Sequence, residues 1–473
     1  MKQYEHAFGK NDIRGIYGED ITEILFYNVG RAFVEYLHKN SAKKPLNMKI
    51  TVTRDARTHS PSLAKALIAG VASTGAKVVD LGLAPTPIGY YSEATMPDVT
   101  GALIITASHN PKEYNGLKMT FNKQTLNEKQ IKEVRDITFK NWTENLDMSG
   151  TAEKLDIIPI YVEDMKKRFG KIGSGIKVVV DSANATGGVV APQLYRELGC
   201  EVVELFSEPD GTFPNHHPNP SDFKTLAAIK DTVIGEKADI GIAFDGDSDR
   251  IGVITADGTP LTGDKLLLIY AEDLIDSGSQ KPTVVSEVKC SQVLFDTINK
   301  IGGHAVMCKT GHGFIKEKMK ETGALLAGEM SGHTFFKDRY YGYDDAIYAG
   351  CRIIEIISKH KKLNPEFKIS DMIKPFNAVC TSQEVRFPCP NEKKQQTLEK
   401  FKKCVEADKN MFGKDIKEIV TLDGMRIVFD GGFALIRQSN TEPVFTLRFE
   451  GKTKDECEHF QSCMINSLEK CLE

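Results

Sequence analysis

"ADIGIAFDGDSDR", residues 238–250, sets an apolar run against a loop with an acid at every second position. Four to eight apolar residues followed by turn chemistry describe a buried strand that delivers its polar residues at one end. Two further stretches have the same construction, "ALIITASHN" at 102–110 and "ALLAGEMSGH" at 324–333. Each closes a longer series. The first series runs "KITVTRD", an apolar helical stretch "SLAKALIAGVAST", "GAKVVDLG", then 102–110. The second runs "IKVVVDSAN", "APQLYREL", "GCEVVEL", then 238–250, and the third "PTVVSEVKCS", "VLFDTINKI", "GHAVMCKTGHG", then 324–333. A Gly-x-x-Val step follows each helix, at Gly75, Gly199 and Gly303.

Strands that alternate with helices and read as near-continuous apolar runs predict α/β units with buried sheets. In open α/β sheets ligands gather where strand ends and loops converge. The threefold repeat therefore predicts three topologically similar α/β domains with mixed sheets whose polar loops line a central cleft. From about residue 375 the pattern changes to strands, a charged helix, a β-rich "MRIVFDGGFALIRQSNTEPVFTLRFEG" and a last helix, a smaller C-terminal α+β domain. The expected domains are 1–155, 156–263, 264–375 and 376–473, and 473 residues suit three or four domains.

The composition excludes several function classes. A net charge of −4 leaves no basic footprint, so no nucleic acid partner is expected. No run of 18 apolar residues exists, so no membrane span is expected, and "MKQYEHAFGKND" has no apolar signal segment. The ten cysteines contain no Cys-x-x-Cys pair. Cys457 and Cys471 share an apolar stripe with Phe460, Met464 and Leu468, which predicts buried, reduced thiols in a cytoplasmic protein.

Four loops can carry chemistry. In "TASHNP", 106–111, Ser108 is a candidate nucleophile or phosphoryl carrier, though a Ser and an Asn also make ordinary turn hydrogen bonds. Lys118, beyond an expected turn at Asn115–Gly116, is a phosphate ligand or proton shuttle. In "DGDSDR", Asp245, Asp247 and Asp249 suit a hard cation such as Mg2+, and Arg250 suits a phosphate. A strand ending in Asp-x-Asp also marks phosphatases with an aspartyl nucleophile, which would make Asp245 the attacking group. In "GEMSGH", Glu329 and Ser331 point the same way on an extended loop and suit a pair of sugar hydroxyls, with His333 as an acid-base group. In "RQSNTEP", 437–443, Arg437, Ser439, Asn440 and Thr441 form a donor set for phosphate. The Gly-x-x-x-x-Gly-Lys pattern of nucleotide binding is absent.

In this order the four loops resemble the α-D-phosphohexomutases, most closely the bacterial-type phosphomannomutase/phosphoglucomutase branch. The resemblance spans essentially the whole chain and includes "DIRG" at 12–15, "EVKCS" at 287–291 and "KTGHGFIK" at 309–316. It implies four domains around one cleft, and a Ser108 that is carried as phosphoserine and exchanges its phosphoryl group with a hexose 1- or 6-phosphate through a bound hexose 1,6-bisphosphate. It implies Mg2+ on Ser108, Asp245, Asp247 and Asp249, and glucose 1,6-bisphosphate as activator. Arg14, His109, Lys118, Arg250, His312 and His333 become catalytic candidates. Tyr17, Lys289, Glu329, Ser331, Arg437, Ser439, Asn440 and Thr441 become substrate-binding candidates, and a monomer is implied. Many family members carry Gly where Asn440 stands, and phosphoglucosamine mutases resemble "GEQSGH" where Met330 stands. Both departures favour mannose and glucose over glucosamine, with a phosphoglucosamine mutase and an aspartyl-phosphate sugar phosphatase as the alternatives.

Overall fold

The computed structural model describes residues 2–278, 280–439 and 442–472. They divide into two compact units, one of residues 1–261, 332–334 and 343–368, the other of 262–331, 335–342 and 369–473.

The first unit contains two of the three repeats. Among the described residues the first sheet has seven strands, and its centre runs Val99–Ile105, Lys49–Arg54, Lys77–Leu83, all parallel. Tyr114–Phe121 then pairs antiparallel with Val99–Ile105, and Ile13–Ile16 pairs antiparallel with Tyr114–Phe121. The second sheet has the same centre, Ile240–Phe244, Lys177–Asp181, Glu201–Leu205, with Ile251–Thr255 antiparallel beside the first of these. In the other unit, Leu326–Gly328, Thr283–Glu287 and His304–Cys308 take this order again. Each repeat thus starts in mid-sheet, places its second strand on one side and its last strand on the other. That is the shared α/β topology with mixed sheets which the repeat predicts.

Burial explains the runs. Ile240, Ile242 and Val178 to Val180 are fully buried because helices cover both faces of these strands. The C-terminal sheet is antiparallel, Met425–Phe429, Gly432–Gln438, Val444–Gly451, and the helix Lys454–Leu472 buries Cys457, Phe460, Met464, Leu468 and Cys471, as their spacing predicts. This sheet docks on the third repeat through a buried cation. The Arg426 guanidinium donates to the carbonyls of Val288 and Cys290 at 2.6 and 2.9 Å and lies 3.6 Å over the Phe433 ring.

One local expectation is corrected. Asn115–Gly116 is not a turn but part of the strand Tyr114–Phe121, and the chain reverses earlier, at 108–113. Gly116 is needed for close approach. A Cβ there would stand 2.2 Å from the Ile13 carbonyl oxygen and 2.9 Å from that of Thr106.

Candidate active site

The strand Val99–Ile105 ends at a loop whose Ser108 has φ of 49°, a left-handed conformation uncommon outside glycine. The strain is held by Arg57, which sequence reasoning missed. All five of its N–H donors are used: Nε on Asp55 at 3.1 Å, Nη1 on the carbonyls of Pro111 and Tyr114 at 2.5 and 3.1 Å, and Nη2 on those of Ser108 and Asn110 at 2.9 and 2.6 Å. The side chain is fully buried. Asp55 also accepts from Ser60 Oγ at 2.5 Å, so the anchor is itself fixed. Replacing Arg57 by alanine leaves Asp55 buried without its cation and frees the loop. The expected result is a loss of about 3–5 kcal/mol in denaturant unfolding and of about 100-fold in turnover. Arg57→Lys lacks the fork and restores only part of either.

The loop presents Ser108 Oγ to Asp245 Oδ2, to which it donates at 2.8 Å. Asp245 leaves the end of Ile240–Phe244, and its Oδ1 accepts from the backbone N–H of Asp249 and of Arg250, both at 3.2 Å. Gly246 lets the two loops touch, since a Cβ there would be 2.3 Å from the Ser108 carbonyl oxygen. Lys118 Nζ donates to Asp247 Oδ2 at 2.7 Å and Asp249 Oδ2 at 2.6 Å. Thr86 Oγ1, a second missed residue, donates to Asp247 Oδ2 at 2.6 Å.

Each of the three aspartates offers an oxygen within 4.8 Å of the others. All three are buried, and among the described residues Asp247 Oδ1 has no hydrogen-bond partner. Burial, then Asp247 and Asp249, push the Asp245 carboxyl well above its usual range. Burial opposes the charge on Asp249 too, but Lys118 and His333 outweigh it and hold that carboxyl well below the usual range. An unpaired buried carboxylate oxygen in an all-oxygen cluster fits a hard divalent cation.

The remaining candidates of this unit lie around that cluster. Arg14 Nη1 donates to Asn110 Oδ1 at 2.8 Å and its other arm pairs with Asp12. His109 Nδ1 is 3.2 Å from Ser108 Oγ, and Arg250, then burial and Arg14, hold its pKa well below the usual histidine value, so the ring is neutral. Arg250 Nε lies 3.9 Å from Asp245 Oδ2 and 3.4 Å from His333 Nε2. His333 is 3.3 Å from Asp249 and 3.9 Å from Asp344. Tyr17 stands aside: its hydroxyl donates to Glu23 at 2.7 Å and its ring stacks on His59.

The second unit assembles its own set. Glu329 is buried and accepts from the Gly311 N–H at 2.7 Å, next to His312 at the start of the helix His312–Thr322. Asp423 accepts from the Thr310 N–H at 3.1 Å and from Arg437 Nε at 3.0 Å, which ties the 310 loop to the C-terminal strand. Lys289 Nζ sits 3.7 Å from Glu287 and 3.6 Å from Glu384. Ser331 is half-buried, and Ser439 Oγ accepts from the Glu442 N–H at 3.2 Å. Asn440 and Thr441 lie outside the described residues.

Comparison with known proteins places these loops in context. Four family models match in succession: Phosphoglucomutase/phosphomannomutase alpha/beta/alpha domains I, II and III at residues 5–145, 159–258 and 262–374, and the C-terminal domain at 384–466. A phosphomannomutase/phosphoglucomutase of Pseudomonas aeruginosa is 39% identical over 98% of this chain and 95% of its own length. A phosphoglucomutase of Neisseria gonorrhoeae is 38% identical over 96% of this chain and 95% of its own. The crystal structure of a phosphoglucomutase/phosphomannomutase family protein from Burkholderia thailandensis superposes with a TM-score of 0.87 at 34% identity, covering 99% of this chain and 98% of that one.

Proposed function

Since the chain belongs to the phosphoglucomutase/phosphomannomutase family of α-D-phosphohexomutases, we propose that it is a phosphosugar mutase that interconverts hexose 1-phosphate and hexose 6-phosphate. The observation that carries the mechanism is Ser108 Oγ, held in a left-handed loop and hydrogen-bonded to Asp245 at 2.8 Å inside a buried carboxylate cluster. Ser108 is carried as phosphoserine. Its phosphoryl group passes to the free hydroxyl of the hexose phosphate, the P–Oγ bond breaks as the new P–O bond forms, and the hydroxyl proton leaves to a base. The resulting 1,6-bisphosphate turns end for end and returns its other phosphoryl group to Ser108, so donor and acceptor are regenerated.

Phosphoryl transfer is governed by position and charge. Arg57 fixes the serine, and Lys118, Arg14 and Arg250 surround the group in transit. A Mg2+ held by Asp245, Asp247, Asp249 and Ser108 would offset the phosphoserine charge and polarise its oxygens. His333 and His312 are the acid-base candidates, with Lys118 as a further one. Glu329 and Ser331 read the sugar hydroxyls, with Tyr17 and Lys289 as further ligands, and Arg437, Ser439, Asn440 and Thr441 hold the non-reacting phosphate. Against Asp245 as nucleophile stands its place in a cluster with Asp247 and Asp249, a set of oxygens that suits a cation better than attack on a phosphoryl group.

The finer assignments belong to the same proposal: Mg2+ as the metal, glucose 1,6-bisphosphate as activator, a cytoplasmic monomer, and domain boundaries near 155, 263 and 375. Among the described residues no helix is long and apolar enough to cross a membrane. Met330 and Asn440 favour glucose and mannose. Given Mg2+ and a trace of glucose 1,6-bisphosphate, the protein should convert glucose 1-phosphate and mannose 1-phosphate to their 6-phosphates and act poorly on glucosamine 1-phosphate. Turnover of glucosamine 1-phosphate alone reverses the sugar assignment; release of inorganic phosphate from all three overturns the mutase.

A further inference from the structure

Within the second unit the helices Asn391–Ala407 and Lys454–Leu472 pack against each other and bring two cysteines together. Phe401 and Val405 of the first helix share one apolar cluster with Leu468 and Cys471 of the second. Two lysines fasten the end of the second helix to the first. Lys400 Nζ donates to the Cys471 carbonyl at 3.0 Å and Lys393 Nζ to the Leu472 carbonyl at 3.4 Å. Cations at the last carbonyls of a helix also complement its dipole. In this frame Cys404 Sγ lies 3.9 Å from Cys471 Sγ, and both residues are thiols.

The two thiols differ in setting. Cys471 is buried, a position that a small apolar side chain fills well. Cys404 is exposed, where packing does not call for a cysteine. Burial, then the neighbouring Cys404, pushes the Cys471 thiol up to about 11. A solute therefore meets Cys404 first, and Cys471 stands behind it in contact. A disulfide holds its sulfurs at about 2.05 Å. The remaining gap of about 2 Å is within what rotation of the exposed Cys404 side chain about χ1 can supply.

We propose that Cys404 and Cys471 are a redox-active pair that closes to a disulfide when the protein meets a small-molecule disulfide such as oxidised glutathione, and reopens under a thiol reductant. In the first step Cys404 loses its proton and its sulfur attacks one sulfur of oxidised glutathione. The glutathione S–S bond breaks, a mixed disulfide forms on Cys404, and one glutathione leaves and takes up a proton. In the second step Cys471 loses its proton and its sulfur attacks the Cys404 sulfur. The mixed disulfide breaks and the second glutathione leaves, again taking up a proton. Two protein thiols are oxidised and one glutathione disulfide is reduced to two thiols. The second step is fast because the attacking sulfur is already in place. The dithiol is the resting state in a reducing compartment, and the disulfide forms as the glutathione pool is oxidised. The inference does not depend on the catalytic reading.

The test treats reduced full-length protein, folded and without denaturant, with oxidised glutathione. Remaining thiols are blocked with iodoacetamide over a time course, and the cysteine peptides are read by mass spectrometry. The expected result is a cross-linked peptide pair that joins Cys404 to Cys471, with both thiols lost together and both regained with dithiothreitol. In Cys404→Ser the entry thiol is gone, so Cys471 should be oxidised at least about tenfold more slowly. In Cys471→Ala the reaction should stop at the mixed disulfide on Cys404. Three results overturn the proposal: Cys404 held as a mixed disulfide beside a free Cys471 in the unaltered protein, a bond from either residue to another cysteine, or a Cys471 that reacts equally fast in Cys404→Ser. Two thiols that both stay reduced overturn it as well. If Cys471→Ala does not fold by circular dichroism, the unaltered protein and Cys404→Ser, changed only at an exposed position, decide the question.

Discussion

Ser108→Ala removes interconversion of glucose 1-phosphate and glucose 6-phosphate by a factor of about ten thousand or more, with the fold and the affinity for glucose 6-phosphate retained. The size follows from the residue's place in the scheme. Without Oγ no carrier exists, and binding or charge stabilisation elsewhere cannot replace a covalent intermediate. The fold survives because the loop hangs on backbone atoms of Ser108: Arg57 binds its carbonyl at 2.9 Å, and its N–H donates to Thr106 Oγ1 at 2.8 Å. Only the two contacts of Oγ are lost, with Asp245 at 2.8 Å and with His109 at 3.2 Å. Asp245→Asn provides the contrast. If Asp245 were the nucleophile, the alanine variant at 108 would stay active and the asparagine variant would be dead. Steady-state kinetics on both variants, with unfolding curves beside them, distinguishes the two.

Removal of divalent metal with a chelator should reduce turnover about a thousandfold or more, restored by Mg2+. The physical ground is the charge count at Asp245, Asp247 and Asp249, where three buried carboxylates face two cations, the Lys118 ammonium and the Arg250 guanidinium. The same count predicts an effect without catalysis. In the metal-free protein the Asp245 carboxyl is pushed well above its unfolded value by burial, Asp247 and Asp249. A group raised in this way favours the folded state while it stays protonated and loses that contribution as the pH rises through its folded value. The rise in thermal midpoint caused by Mg2+ should therefore be larger at about pH 8 than at about pH 5. Differential scanning calorimetry at both values checks this. A shift that is absent, or larger at the lower value, removes the metal from these residues.

The sheets and the acidic loop were legible because they rest on local signals. Burial on both faces forces apolar runs, and the acids stand at the one place where such a run can meet a cation. A further regularity lay in the repeat. "TRD", "VVD" and "VSE" put Asp55, Asp181 and Glu287 at the end of each repeat's first strand, all buried and each accepting a backbone N–H, from Arg57, Ala183 and Met330. Three acids at matching positions could have been found by aligning the repeats.

Arg57 was not legible. Its importance depends on carbonyls at 108, 110, 111 and 114 converging on one guanidinium, and a backbone carbonyl leaves no mark in the sequence. Thr86 failed for a related reason, since its partner, Asp247, is distant in the chain. Asn115–Gly116 misled in the opposite way. The dipeptide is a strong hairpin signal, yet here the glycine serves three chains passing within van der Waals distance. Local chemistry said turn; pairing of Ile13–Ile16 with Tyr114–Phe121 required strand.

The central claim is that Ser108 carries the phosphoryl group. Its most direct test is to incubate the protein with glucose 1,6-bisphosphate and Mg2+, remove the sugar, and map the modification by peptide mass spectrometry under conditions that preserve both serine and aspartyl phosphates. The account predicts the mass of one phosphoryl group on the peptide at Ser108, discharged when glucose 1-phosphate is added. A phosphoryl group on Asp245, or a Ser108 phosphate that persists in the presence of sugar phosphate, would contradict it.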